Sequence, residues 1–261
     1  MIAFVNTYEK ELRVAKDIAK QAGVIMLKYF DGDQQVGKKE DNSMVTIADK
    51  EINRLVIEEL SEHFNDVIIG EEESTGEYGM GRRWLCDPID GTKGFVWGVP
   101  TAMFSLGLVV DGIPVLGVAY DPFLNRLYEA VTGQGSYCNG APLHVSNKEL
   151  KDGIVAVTRS IGSIMERPSY LSYLFKKGAR MATFSGAVYK SCLVARGKFV
   201  GYLEAGVNAH DMAAAHVIVK ESGGKVTGHD GKELDYSKPF KGAIVSNGII
   251  HDDLFRSLNL N

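Results

Sequence analysis

From Tyr8 onward, the apolar residues Tyr8, Leu12, Ala15, Ala19, Ala22, Met26 and Tyr29 advance by steps of four and three. That spacing predicts one long amphipathic helix with a single face against a core. Residues 31–43 break the pattern. They are polar, contain two glycines and carry the charge cluster Lys38-Lys39-Glu40-Asp41, as expected of a solvent-exposed loop or a lid. Thr46-Ile-Ala-Asp49 then has the form of a helix cap, with the hydroxyl first and an acid in the first turn. Ile52, Leu55, Val56 and Leu60 follow at helical spacing.

Beyond Phe64 the texture turns to short β-rich runs: 67–69, 84–86, 104–110, 115–120 and 127–131. Asp111-Gly112 punctuates them as a tight turn, and Gly133-Gln-Gly-Ser and Asn139-Gly140 read as further turns. Lys148 to Gly153 marks a seam between two lobes of one unit spanning 1–261, about 1–150 and about 151–261. In the second half, 154–158 reads as a strand, 187–196 as a helix, and 199–203 as a strand ending at Glu204. A helix over 212–221 closes at Gly223-Gly224, with Asp211 at its start.

Composition narrows the class. With 261 residues, 45% hydrophobic and 24% charged, the chain has the make-up of a folded globular protein. A formal net charge of -4 without a cationic run argues against nucleic acid as a partner. No stretch of about 18 apolar residues or secretion signal appears, so no membrane contact and a cytoplasmic location are expected. Cys86, Cys138 and Cys192 lack ligand spacing and read as reduced thiols. His63, His144, His216, His229 and His251 likewise share no ligand spacing and read as surface or packing residues.

The acids carry the chemistry. Asp49, Glu71, Asp87, Asp90 and Asp211 fall at strand ends and helix starts, where loops on rigid elements collect functional groups. Asp87 follows the apolar Trp84-Leu-Cys86 and should be buried, a costly place for a carboxylate without a cation or several donors. Asp87 and Asp90, three positions apart around Pro88, can offer oxygens to a hard divalent cation. Gly91-Thr92 then supplies a close-approach turn, a hydroxyl and a helix start suited to phosphate. For Asp49 and Asp211 a structural role as first-turn helix acids stays open.

Gly70-Glu71-Glu72, Trp84-x-x-Asp87-Pro-x-Asp90-Gly-Thr92-x-x-Phe95 and His210-Asp211 with Glu221-x-Gly-Gly224 together resemble the inositol monophosphatase family of Mg2+-dependent, Li+-sensitive phosphatases. The resemblance implies an α/β fold, an alternating αβαβα sandwich of the inositol monophosphatase and fructose-1,6-bisphosphatase type. It also implies a homodimer and two or three Mg2+ ions per site. It assigns Glu71, Asp87 and the Ile89 carbonyl to one metal and Asp87, Asp90 and Asp211 to a second, bridged by Asp87. Thr92, assisted by Glu71, would orient the attacking water, with Asp49 holding the threonine hydroxyl. The amides of Gly91 and Thr92 would receive the phosphate, Glu204 and Ala187 would line the substrate, and Lys38 matches a loop that approaches a further metal.

The substrate implied is a small phosphate monoester, with inositol 1-phosphate or a related polyol phosphate as first choice. Glu204 stands seven residues before Asp211, where the family contacts substrate hydroxyls; an acid facing water at a strand end is the alternative. His210 replaces a tryptophan of the family pattern and Lys93-Gly94 replaces Thr-Asn, which brings in histidinol phosphate and nucleotide 3'-phosphates. A noncatalytic member of the family is the remaining alternative. Lys190 is expected as a solvated helix charge, the other reading being a contact to a second substrate anion.

Overall fold

The long amphipathic pattern forms helix α1, Glu9–Phe30, in the computed structural model, which describes residues 7–38, 44–157 and 168–259. Val14, Ala15, Ile18, Ala19, Ala22 and Met26 make its buried face. After it, β1 (Gly37–Lys38) pairs antiparallel with β2 (Met44–Val45), so the ends of the polar connector are tied together. The rest of that connector's charge cluster, from Lys39, lies outside the described residues. Thr46 then caps α2, Ile47–His63, in a reciprocal capping box with Asp49.

Seven strands follow the β-rich runs: β3 (Val67–Gly70), β4 (Arg82–Asp90), β5 (Met103–Val110), β6 (Ile113–Asp121), β7 (Arg126–Val131), β8 (Ser136–Cys138) and β9 (Ala141–Pro142). They form one sheet in sequence order, antiparallel throughout except for the parallel pair of β3 and β4. Asp111 (φ 50°) and Gly112 (φ 78°) are both left-handed, which closes the β5–β6 hairpin with a two-residue turn matched to strand twist. Asn139-Gly140 makes the expected turn, both residues left-handed, and the short strands β8 and β9 on either side of it were not expected.

The second sheet has order β11-β10-β12-β14-β13. Its strands are β10 (Ile154–Val157), β11 (Arg180–Ala182), β12 (Gly201–Glu204), β13 (Lys225–Thr227) and β14 (Ala243–Ser246). Thr158, expected at the end of β10, lies outside the described residues. Helices α4 (Pro168–Lys176), α5 (Ala187–Ala195), α6 (Ala209–Glu221) and α7 (His251–Leu258) complete the second half. Of these, α4 and everything after Gly224 go beyond the sequence expectation, although Ile250, Leu254 and Leu258 show the helical spacing of α7.

Three apolar clusters order the layers. α1 and α2 cover one face of the seven-stranded sheet, with Ile18, Met26, Ile52 and Leu60 against Trp84, Phe104 and Val118. α5 and α6 fill the space between the sheets, where Val188, Met212 and Ile218 meet Leu85, Met103 and Tyr128 on one side and Tyr202 and Val245 on the other. α4 and α7 cover the outer face of the five-stranded sheet through Leu174 and Leu254. The result is the expected α/β arrangement, helix–sheet–helix–sheet–helix. Among the described residues no helix is long and apolar enough to cross a membrane.

One close approach sets the position of α6. Gly107 and Gly117 face each other across β5 and β6, and a Cβ on Gly117 would stand 2.4 Å from the Ala214 carbonyl oxygen. The missing side chains let the α6 backbone settle directly on the sheet. The start of α6 is thereby delivered to the end of β4.

Candidate active site

The end of β4 is where the acids meet. Trp84, Leu85 and Cys86 are wholly buried, and the strand carries Asp87 (2% exposed) and Asp90 (5%) into the same interior. The pairing with β5 shifts register between Asp87 and Asp90, where Pro88 contributes no N–H. In that irregular stretch the Ile89 amide donates to Asp87 Oδ1 at 3.0 Å, and the Thr92 hydroxyl donates to the Ile89 carbonyl at 3.1 Å. Gly91 (φ 88°) makes the left-handed step into α3, the short helix Thr92–Val96. A side chain at Gly91 would press on the Gly186 backbone at 3.0 Å, so the turn packs tightly against the start of α5.

Four elements converge on this point. Glu71 continues β3 beside β4, its amide donating to the Cys86 carbonyl at 3.1 Å. Asp90 receives the amides of Ala187 (2.8 Å) and Val188 (2.7 Å) at the start of α5. Asp211 sits in the first turn of α6, where Oδ2 accepts the Asn208 amide at 2.6 Å and Oδ1 lies 3.3 Å from His210 Nε2. Asp87 and Asp211 come within hydrogen-bonding reach of each other through their side chains.

The electrostatics register that crowding. Burial pushes the Asp87 carboxyl well above the ordinary carboxylate range, and Glu71, Asp211 and Asp90 push it further. Asp90 is raised to about 7 by burial and Asp211, against the pull of the Ala187 amide and Lys190. Asp211 is raised by burial, with His210 opposing. Buried acids held this close favour protonation, or a cation in place of the proton. Among the described residues, no three Asp, Glu, His or Cys side chains stand in a finished metal cage. Backbone amides donate to Asp87, Asp90 and Asp211. The all-oxygen donor set is nevertheless the kind that hard divalent cations take.

Asp49 is placed differently from its expected partnership. Its Oδ2 accepts the Thr46 amide (2.7 Å) and hydroxyl (2.6 Å), while the Thr92 hydroxyl turns to Ile89. The cap of its own helix claims Asp49 first, because Thr46 and Asp49, three positions apart in one turn, meet without any tertiary adjustment. Among the described residues Oδ1 has no hydrogen-bond partner, and burial lifts the carboxyl to about 7, with Glu71 and Glu72 adding to the rise. Asp49 thus borders the acidic cluster while serving as a cap.

Lys190 overturns its expectation as a solvated charge. It is 1% exposed, with Nζ 3.4 Å from Glu204 Oε2 and 4.4 Å above the Tyr202 ring centroid. Glu204 does not face water either: it is 6% exposed and also receives the Tyr202 hydroxyl on Oε2 and the Ala205 and Gly206 amides on Oε1. The expectation failed because α5 lies between two sheets and has no solvated face there. Ala187, expected beside substrate, uses its amide on Asp90. Lys38 is exposed on β1. Val188 and Tyr202 enter the site's framework unannounced, although alternation along β12 places Tyr202 on the same face as Glu204. Of the histidines, His216 and His251 are buried packing residues, and all three cysteines are free thiols.

Comparison with known proteins agrees with this architecture. The model of the inositol monophosphatase family matches residues 7–259. Inositol monophosphatase 1 of Solanum lycopersicum is 35% identical over 88% of this chain and 88% of its own. The histidinol-phosphatase of Chlorobaculum parvum is 33% identical over 85% of this chain and 87% of its own. A crystal structure of an IMPase/NADP phosphatase complexed with Mg2+ and phosphate superposes with a TM-score of 0.87 at 25% identity, covering 98% of this chain and 97% of that one. The chain belongs to the inositol monophosphatase family, and with it to the phosphoric monoester hydrolases.

Proposed function

We propose that the protein hydrolyses a small phosphate monoester with Mg2+ held by Glu71, Asp87, Asp90, Asp211 and the Ile89 carbonyl. The observation that carries this reading is the convergence of acids from β3, β4 and α6 in a buried site, each raising the proton affinity of Asp87. The related phosphatase complexed with Mg2+ and phosphate supports the choice of ion. Held by these residues, Mg2+ would supply positive charge that neutralises phosphate oxygens and lowers the pKa of a bound water. The chain's own part is to hold geometry. The turn at Gly91 and the start of α3 bring the Gly91 and Thr92 amides toward the phosphate, and Thr92 and Glu71 orient the water. Asp49 supports this edge through Thr46 and α2, and Ala187 borders the substrate while anchoring Asp90. Two or three ions, inhibition by Li+ and a homodimeric assembly of the two-lobed 1–261 unit belong to the same proposal by family likeness.

Inositol 1-phosphate or a related polyol phosphate is the substrate class proposed, supported by the tomato relative. Histidinol phosphate is the second reading, favoured by the Chlorobaculum relative and by His210 and Lys93 at the positions that depart from the inositol pattern. The test is phosphate release from a panel of polyol phosphates, histidinol phosphate and nucleotide 3'-phosphates, with and without Mg2+. Mg2+-dependent turnover with the highest kcat/KM on a polyol phosphate is the expected result. A large preference for histidinol phosphate overturns the substrate, and turnover indifferent to Mg2+ overturns the metal reading.

A further inference from the structure

Asn53 lies one turn beyond Asp49 on α2 and is buried with it, at 2% exposed. Its Nδ2 donates at 3.0 Å to the carbonyl of Glu73, 20 residues along, in the turn that leaves β3. Among the described residues Oδ1 of Asn53 accepts no hydrogen bond. That oxygen rests against Gly70, the last residue of β3, where a Cβ would stand 2.2 Å from it and 2.4 Å from the Glu73 carbonyl oxygen. The missing side chain at Gly70 is what admits the Asn53 amide group and the Glu73 carbonyl to the same spot. Glu71 is the next residue, so the contact falls immediately beside a proposed metal ligand.

The turn that Asn53 grips carries three acids in succession, Glu71, Glu72 and Glu73, with Asp49 near the first two and Asp87 near Glu71. Like charges at this density push the turn away from the site, so its backbone needs restraint. Part of that restraint is local. The Gly70 amide donates to the Ser74 hydroxyl at 3.2 Å and the Thr75 amide to the Ile68 carbonyl at 2.9 Å, which folds the far side of the turn back on β3. On the near side the Glu71 amide is pinned to β4 through the Cys86 carbonyl. Asn53 reaches the middle of the turn from another element. A buried amide with one group unpaired is a costly core residue, because its carbonyl has lost hydration without a donor in return. Its use lies in the other group: the Nδ2 donor ties the acidic turn to the same helix that places Asp49.

We propose that Asn53 is a positioning residue, which fixes the 71–73 turn against α2 and thereby sets where Glu71 meets Mg2+, without touching substrate. This deepens the metal reading above and rests on it. The test uses the full chain as wild type, Asn53→Ala, Asn53→Leu and, as a control, Val56→Ala, a core truncation on the same helix. Mg2+ affinity is measured by calorimetry, stability by thermal unfolding in metal-free buffer, and KM at saturating Mg2+. Asn53→Ala should raise the Mg2+ dissociation constant about tenfold, the lower end of the range seen when a metal ligand's supporting partner is lost, with KM within about twofold of wild type. Asn53→Leu nearly keeps the volume and deletes the donor, so it should show the same loss, and it decides if the alanine variant fails to fold. Val56→Ala should lower Tm while Mg2+ affinity stays within about twofold. Wild-type Mg2+ affinity in a folded Asn53 variant overturns the proposal. An equal weakening in Val56→Ala also overturns it, because the effect then follows the stability of α2. So does a rise in KM with Mg2+ affinity unchanged, which assigns Asn53 to the substrate. No Mg2+ response in the wild type itself removes the metal reading, and this inference with it.

Discussion

Oδ1 of Asp90 accepts a 2.8 Å hydrogen bond from the backbone amide of Ala187, 97 residues away in the chain. The neighbouring Val188 amide donates to Oδ2 at 2.7 Å, so one carboxylate closes the first turn of α5 while facing Asp211 and Asp87. A helix start leaves its first amides without intrahelical acceptors, and Asp90 satisfies two of them from another element. The acid is held where like charges crowd it because this second role pins it.

Asp90→Asn should lower kcat at least about a thousandfold, the scale of several kcal/mol of lost transition-state stabilisation. The fold should survive. One α5 amide would face an amide nitrogen, a loss of about 1–3 kcal/mol visible as a lower Tm. Added Mg2+ should no longer raise Tm as it does in the wild type. Near-normal turnover with an intact Mg2+ response contradicts the metal assignment.

Gly117→Ala should displace α6, since the new Cβ would lie 2.4 Å from the Ala214 carbonyl oxygen and 2.8 Å from its Cα. Overpacking of this kind costs about 1–3 kcal/mol. Asp211 rides on the first turn of α6, so Mg2+ should also bind more weakly. Calorimetry on the folded variant checks this; an unchanged Mg2+ affinity means that the seat of α6 does not control Asp211.

Glu221→Ala supplies the contrast. Glu221, at the far end of α6, accepts the amides of Gly133 (3.0 Å) and Gly135 (2.9 Å), which fastens the β7–β8 turn. Removing it should cost about 1–3 kcal/mol in denaturant unfolding and leave Mg2+ affinity within about twofold of wild type. A large Mg2+ effect would show that the whole helix, and not its start alone, transmits strain to the site.

The pH dependence of stability should carry a signature of His216. Burial drops its pKa from 6.5 to about 4, with Lys220 adding to the fall, and its Nδ1 lies 3.0 Å from the Tyr236 hydroxyl. Above pH 6.5 the ring is neutral in both folded and unfolded chains. Between there and about 4 only the unfolded chain takes the proton, so stability falls with pH, by up to about 3 kcal/mol. The raised carboxyls of Asp49 and Asp90 act in the opposite direction below pH 7, so the comparison is between wild type and His216→Gln in metal-free buffer. The variant should lose less stability on acidification; an identical loss contradicts the assignment.

Much of the framework was legible along the chain because local periodicity reports a buried face directly. The steps from Tyr8 to Tyr29 yield α1, the alternation after Phe64 yields β3 to β7, and Thr46-Ile-Ala-Asp49 yields its cap. Strands β8, β9, β13 and β14 are two to four residues long, too short for a period to show against turn-forming neighbours. Lys190 was misplaced for a different reason: a charged residue on a helix signals solvent only when that helix has an outer face.

The sequence alone determined the family, the layered α/β class and the acids worth attention, since Trp84-x-x-Asp87-Pro-x-Asp90-Gly-Thr92 holds strand, turn and oxygens in one short run. The tertiary structure decided which donors and charges those acids meet. Ala187 and Val188 reach Asp90, Asp211 reaches Asp87, and Lys190 is sealed against Glu204 only because α5 and α6 are pressed between two sheets. Burial and distance set the energy of a charge, and neither is a property of local sequence.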